Sequence, residues 1–169
     1  RDTAVTGVKT GALPIWKPGG IMTMVAEYGK LSLKDVLGPA IEMADGYAIE
    51  AQSANTIDRN KDKLKNWMYS KQVFLIHEND PKHPGPVAGE IFRQPNLART
   101  LRAIAAADKA SFAKTHNRVT AIRAGRNAFY TGDIAHRIAD ADKAAGGVFS
   151  YEDPATYHGQ IDKATTTRL

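Results

Sequence analysis

Apolar residues recur at helical spacing along most of this chain, and the recurrences are bounded by proline, glycine and Ser-x-x-Asp pairs. Pro18-Gly19-Gly20 opens a run with Ile21, Met24, Val25 and Tyr28 on one side, closed by Gly29, which predicts a helix near Pro18–Tyr28. Ser32 with Asp35 has the form of a capping box, and Leu33, Val36, Leu37, Ile41 and Ala44 follow as a buried face, so a second helix is expected over Ser32–Ala44. Pro39 removes a backbone donor inside it, predicting either a kink or two short helices meeting at Gly38. A thin stripe of Ala54, Ile57, Leu64 and Trp67 predicts a surface helix over Glu50–Trp67. Val73-Phe74-Leu75-Ile76 is short enough to be either a strand or a helical turn, and the prolines at 81, 84 and 86 then make a loop.

Three more helices are expected: Pro95–Ala106, with Pro95 as first helical residue, Asn117–Tyr130, and Asp133–Ala145. Gly132 is read as a left-handed cap closing the second of these, and Gly146-Gly147 as the exit from the third. Ser150-Tyr151-Glu152-Asp153 repeats the Ser-x-x-Asp start for one more helical turn. Leu97, Leu101, Ile104, Val119, Ile122, Phe129, Ile134 and Ile138 are expected to be buried together, because three apolar stripes of this kind are used only by mutual packing. The fold class that follows is a mainly α segment, read as a single helical unit across residues 1–169.

Composition narrows the function. The 169 residues carry a net charge of +5, but Lys and Arg are scattered, and the densest stretch, Arg59 to Lys65, alternates with carboxylates and polar residues. That is the pattern of a solvated helix face, with no interleaved aromatics to stack bases, so nucleic acid is not an expected partner. No run has the length and apolarity of a membrane span. There is no cysteine, hence neither a disulfide framework nor a thiolate metal site. The five histidines, His77, His83, His116, His136 and His158, lack the spacing that places two ligands on one helical face, so no metal is expected. Neither glycine pair has phosphate-loop spacing, and no cofactor is implied. The carboxylate pairs Glu78/Asp80, Asp140/Asp142 and Glu152/Asp153 read as solvated or capping groups rather than an acid and a base.

One order of residues carries more. Asn96-Leu97-Ala98 to Leu101, then Ala128-Phe129-Tyr130-x-Gly132-x-Ile134-Ala135-x-x-Ile138, Ala145-Gly146-Gly147, Glu152-Asp153 and Tyr157 follow one another, with Tyr28-Gly29-Lys30-Leu31-Ser32-Leu33-Lys34-Asp35 to Gly46 upstream. This succession resembles the large subunit of the γ-glutamyltranspeptidases, over roughly residues 14 to 160. The resemblance implies an αββα N-terminal nucleophile hydrolase fold to which this chain supplies helices, truncated at both ends. It also implies a precursor that cuts itself, so that a new amino-terminal Thr attacks a γ-glutamyl amide such as glutathione through an acyl-enzyme. The implied partners are the small-subunit portion of the same precursor and a γ-glutamyl substrate, and the implied location is periplasmic or secreted. The family nucleophile is followed by Thr and His, whereas Thr167 is followed by Arg168 and Leu169, so no catalytic residue is expected in this chain. Arg1-Asp2-Thr3-Ala4-Val5 resembles the family's Arg-Glu-x-Ala-Pro stretch, with Asp for Glu and Val for Pro. It makes Arg1 the candidate for binding the substrate α-carboxylate by a bidentate guanidinium pair, against the plainer reading of an unconstrained terminal side chain. A related acylase and a stand-alone helical binding module are the competing functions.

Overall fold

The computed structural model describes residues 17–77 and 79–157. These residues form a helix over 17–28 (α1), then α2 (Leu33–Asp45), β1 (Tyr47–Ala48), α3 (Ala51–Arg59), α4 (Lys61–Leu64), α5 (Met68–Phe74), β2 (Ile91–Phe92), α6 (Pro95–Thr115), α7 (Arg118–Tyr130), α8 (Asp133–Ala144) and α9 (Glu152–Ala155). The chain divides into two compact units, one of Arg1–Val36 with Ala103–Leu169 and one of Leu37–Arg102.

In the first unit, α7 and α8 pack on each other through small residues, with Ala121, Ile122, Gly125, Tyr130, Ile134, Ala135 and Ala139 buried. Gly125 is the close-approach point: a Cβ there would lie 2.5 Å from Leu33 Cδ1 and 3.1 Å from the Ile104 carbonyl oxygen. The cap at Ser32 is reciprocal, since the Ser32 hydroxyl donates to Asp35 Oδ2 at 2.7 Å while the Asp35 N–H donates to Ser32 Oγ at 3.2 Å. α2 then continues through Pro39 as one helix. Asn117 caps α7 by accepting from the Thr120 N–H at 2.9 Å.

Several expectations need correction. α1 buries Gly19, Met22 and Ala26, spaced three and four apart, and leaves Ile21, Met24 and Tyr28 exposed, because the face that turns inward is the one whose Gly19 seats against Tyr130 of α7. α6 runs nine residues past Ala106 to Thr115, carried by alanine and lysine propensity after its apolar stripe has ended. It closes at His116, a non-glycine residue in the left-handed region (φ 51), whose N–H returns to the Phe112 carbonyl at 2.8 Å. Gly132 is extended (φ −99, ψ −167) and starts α8 instead of ending α7 in a left-handed turn; a Cβ there would meet the Ala128 carbonyl oxygen at 2.7 Å. Gly146, at φ 79, is the left-handed exit. Of the eight residues expected to share one core, Ile104, Ile122 and Ile134 are buried, Leu101, Val119, Phe129 and Ile138 are partly so, and Leu97 is 44% exposed.

The second unit has its own small core of Ile49, Ala54 and Phe92, with Tyr47, Ile57, Val73 and Phe74 against it. Phe92 stacks on Phe74 at 6.1 Å and meets Tyr47 edge-on at 6.3 Å. β1 and β2 pair antiparallel in the register Tyr47↔Phe92 and Ala48↔Ile91, and Arg102 forms an ion pair with Asp45. The expected Glu50–Trp67 helix is broken at Asn60 (φ −104, ψ 6), whose side-chain amide donates to the Thr56 carbonyl at 2.8 Å and so competes with the helical backbone. Val73 and Phe74 close α5, settling the helical alternative for those two residues, while Leu75 and Ile76 lie beyond it.

Candidate functional site

The first unit has a cleft of about 350 Å³ between α1 and α7, lined by Met22, Thr23, Ala26, Glu27, Ile122, Arg123, Arg126 and Asn127. Its geometry follows from two clamps. At the start of α1 the Gly19 N–H donates to the Tyr130 hydroxyl at 2.7 Å, and a Cβ on Gly19 would lie 2.8 Å from that oxygen, so glycine is what allows the approach. At the other end, the Arg118 guanidinium donates to the carbonyls of Val25 and Ala26 at 2.9 and 2.8 Å, placing a cation on carbonyls at the close of α1.

Tyr130 is fully buried, and burial pushes its phenol above the ordinary value. The Arg126 guanidinium lies 4.6 Å from the Tyr130 ring centroid and donates to the Tyr157 carbonyl. Tyr157 packs against Tyr130 at 5.8 Å, and Phe129 meets it edge-on at 4.9 Å. Arg126 is therefore held in place by ring and carbonyl together. Arg123 beside it makes no hydrogen bond or ion pair among the described residues, and Glu27 is the only carboxylate in the lining. Two guanidiniums against one carboxylate suit an anionic group; none of the lining residues is a histidine able to activate a hydroxyl.

Among the described residues, the chemistry-bearing side chains singled out in the sequence are not brought together. Arg1, His158 and Thr165-Thr166-Thr167 lie outside the described residues, as does Glu78. His77 Nε2 is 2.8 Å from Glu90 Oε1, and this hydrogen bond raises the His77 pKa while lowering that of Glu90, whose largest cause is the Val87 N–H. His136 stacks on Tyr151 at 4.0 Å, and His116 tilts against Phe112 at 6.2 Å. Asp80 accepts from the backbone of Lys82 and His83, Asp142 from Phe149, and Asp153 from Ser150. Among the described residues no group of three His, Cys, Asp or Glu side chains could hold a metal ion.

Nothing in the sequence singles out Asp108, which is 3% exposed with Oδ1 unpartnered. Desolvation raises its pKa, opposed by a hydrogen bond from the Leu33 backbone at the start of α2. Arg118 and the pairing of Arg126 with Tyr130 have equally little local signature. The only signal for the last was Phe129-Tyr130 within the longer succession.

The sequence profile of the Gamma-glutamyltranspeptidase family matches residues 2–169. The glutathione hydrolase-like YwrD proenzyme of Bacillus subtilis (strain 168) is 30% identical over 160 residues, covering 94% of this chain and 25% of that protein. A glutathione hydrolase proenzyme of Pseudomonas sp. (strain A14) is 29% identical over 153 residues, covering 88% and 23%. This chain thus spans about a quarter of the length of the curated relatives it matches. Among solved structures, the Helicobacter pylori γ-glutamyltranspeptidase is 28% identical with a TM-score of 0.65, covering 82% of this chain and 34% of that one. A cephalosporin acylase from Bacillus halodurans is 29% identical with a TM-score of 0.61, covering 83% and 23%. With the profile running from Asp2 to Leu169 and the backbone agreeing over four-fifths of the chain, this chain belongs to the γ-glutamyltranspeptidase family.

Proposed function

We propose that this chain is a large-subunit segment of a γ-glutamyltransferase or hydrolase, acting on glutathione or a related γ-glutamyl amide through an acyl-enzyme. The observation that carries the reading is the family match over residues 2–169, together with relatives whose names are glutathione hydrolase proenzymes. In this reading the helices form one outer layer of an αββα N-terminal nucleophile hydrolase fold. The nucleophile is an amino-terminal Thr generated by cleavage of the precursor, in a small-subunit portion outside residues 1–169. Arg1, on the resemblance of its local sequence, binds the substrate α-carboxylate through a bidentate pair.

A second reading, an acylase of the same family, is favoured by the cephalosporin acylase, whose TM-score and identity are close to those of the transpeptidase. Both are tested by expressing the genomic reading frame that carries these 169 codons. The expected product is a precursor that splits in two, the smaller chain beginning with Thr, and releases p-nitroaniline from γ-glutamyl-p-nitroanilide. Replacing Arg1 with Ala raises KM for that substrate. Cleavage of a cephalosporin side chain without γ-glutamyl release assigns the acylase instead, and a reading frame with no such Thr overturns both.

A further inference from the structure

We propose that the corner joining α4 to α5 is a docking surface for an anionic lipid bilayer. Trp67, Met68 and Tyr69 are consecutive in the chain and are 64%, 62% and 61% exposed. Trp67 has an extended backbone (φ −116, ψ 110) between the two helices, and Met68 and Tyr69 open α5, so the three side chains sit together at the start of that helix. Beside Trp67 lies an apolar trough of about 410 Å³ walled by Ile57, Leu64, Trp67 and Phe74. Lys63 stands at its rim with Thr56 and Asn60.

The charges around this corner are predominantly positive. Residues 58–71 carry five cations, Arg59, Lys61, Lys63, Lys65 and Lys71, against the two carboxylates of Asp58 and Asp62. Lys61 and Lys65 are paired with those carboxylates at 2.9 and 3.1 Å, whereas Lys63 and Lys71 form no ion pair among the described residues.

An apolar tip ringed by lysines matches the layering of a membrane surface, with hydrocarbon beneath phosphate. Trp and Tyr place an apolar body in the acyl boundary and a polar edge at the headgroups, and lysine stems let the ammonium reach phosphate oxygens. Charge also argues against two other occupants. A second copy of this corner would bring like charges together, and a neutral partner would leave Lys63 and Lys71 without counter-charge. No helix among the described residues is long and apolar enough to cross a membrane, so the binding is peripheral and reversible.

The test is co-sedimentation of the full 169-residue chain with vesicles of phosphatidylcholine alone and with added phosphatidylglycerol. Emission is followed in a Trp16→Phe background, which leaves Trp67 as the single tryptophan. Binding should require phosphatidylglycerol, weaken with salt, and shift Trp67 emission to the blue. Replacing Trp67, Met68 and Tyr69 together with Ser, read by sedimentation because it removes the fluorophore, should weaken partitioning by about tenfold or more with circular dichroism unchanged, and Met68→Ser with Tyr69→Ser, which keeps Trp67, should reduce the blue shift. The pair Lys63→Glu and Lys71→Glu should remove the phosphatidylglycerol dependence. Three outcomes overturn the proposal: no binding to phosphatidylglycerol vesicles; binding that gives no blue shift of Trp67 and is undiminished in sedimentation by the triple substitution, which is adsorption by net charge alone; or self-association that the triple substitution prevents, without vesicle binding.

Discussion

A glycine inside a helix usually costs stability, and Gly125 and Gly20 separate the cases in which it does and does not. Replacing Gly125 with Ala adds helix propensity worth about 1 kcal/mol, but the new methyl meets Leu33 Cδ1 at 2.5 Å and a backbone oxygen at 3.1 Å. Overpacking of a filled core costs about 1–3 kcal/mol, so Gly125→Ala should lower stability by about 1 kcal/mol net. Gly20→Ala, with nothing within 4 Å, should raise it by about 0.5–1 kcal/mol; urea unfolding of the two variants checks the contrast. Asp108 gives a pH signature. Its folded pKa is raised above the ordinary 3.8 by desolvation, so the unfolded chain loses its proton first. The stability this group contributes is complete below that ordinary value and is lost as pH rises through the folded pKa. Asp108→Asn should therefore be more stable than the wild type near neutrality and flatten the dependence of Tm on pH, whereas an unchanged pH slope would contradict the raised pKa. Neither residue announced its role in the sequence. Asp108 sits among alanines and lysines where a solvated carboxylate is the ordinary reading, and the demand for glycine at 125 comes from Leu33, 92 positions earlier.

Elements were legible where a local signal fixed their ends. Ser32-x-x-Asp35 was readable because the cap is made by two side chains three residues apart, and Ser32→Ala should cost about 1 kcal/mol through loss of that cap. The length of α6 and the break at Asn60 were not legible, since one depends on propensity without an apolar stripe and the other on a side chain competing with its own helix. The β1–β2 pair was missed for a different reason: two residues per strand give no alternation to read, and its partners are 43 to 45 positions apart. Just before β2, the His77–Glu90 contact predicts a stability maximum. Glu90, with its pKa lowered, contributes stability that is present above its ordinary 4.5 and lost as pH falls through the folded value. His77, with its pKa raised, contributes stability that is present below its ordinary 6.5 and lost as pH rises through the folded value. Both contributions are complete only between those two values. His77→Gln should remove the alkaline loss and reduce the acid one, measured as local hydrogen exchange of Gly89 and Ile49, whose N–H groups bond across this loop.

For the whole molecule, the family was readable because a succession of landmarks survives in order, while the division into two units was not, since it depends on which helices pack and no composition break marks it. The last prediction belongs at this scale: the 169-residue chain by itself neither transfers γ-glutamyl groups nor hydrolyses their amides. Acyl transfer requires a nucleophile beside a base and donors around the developing oxyanion, and the loss of one such donor alone costs about 3–4 kcal/mol. Among the described residues no Ser or Thr hydroxyl is hydrogen-bonded to a histidine: those of Thr56, Thr100, Thr115, Thr131 and Thr156 bond carbonyls within their own helices, and those of Ser32, Ser53 and Ser150 bond carboxylates. The arginine cleft between α1 and α7 can attract an anion, and its one carboxylate, Glu27, makes no hydrogen bond to a hydroxyl among the described residues. Incubation with γ-glutamyl-p-nitroanilide should thus leave the absorbance of p-nitroaniline at the buffer rate. Release that scales with protein, persists through further purification and vanishes on replacing one Ser or Thr of this chain would show that a nucleophile lies within it.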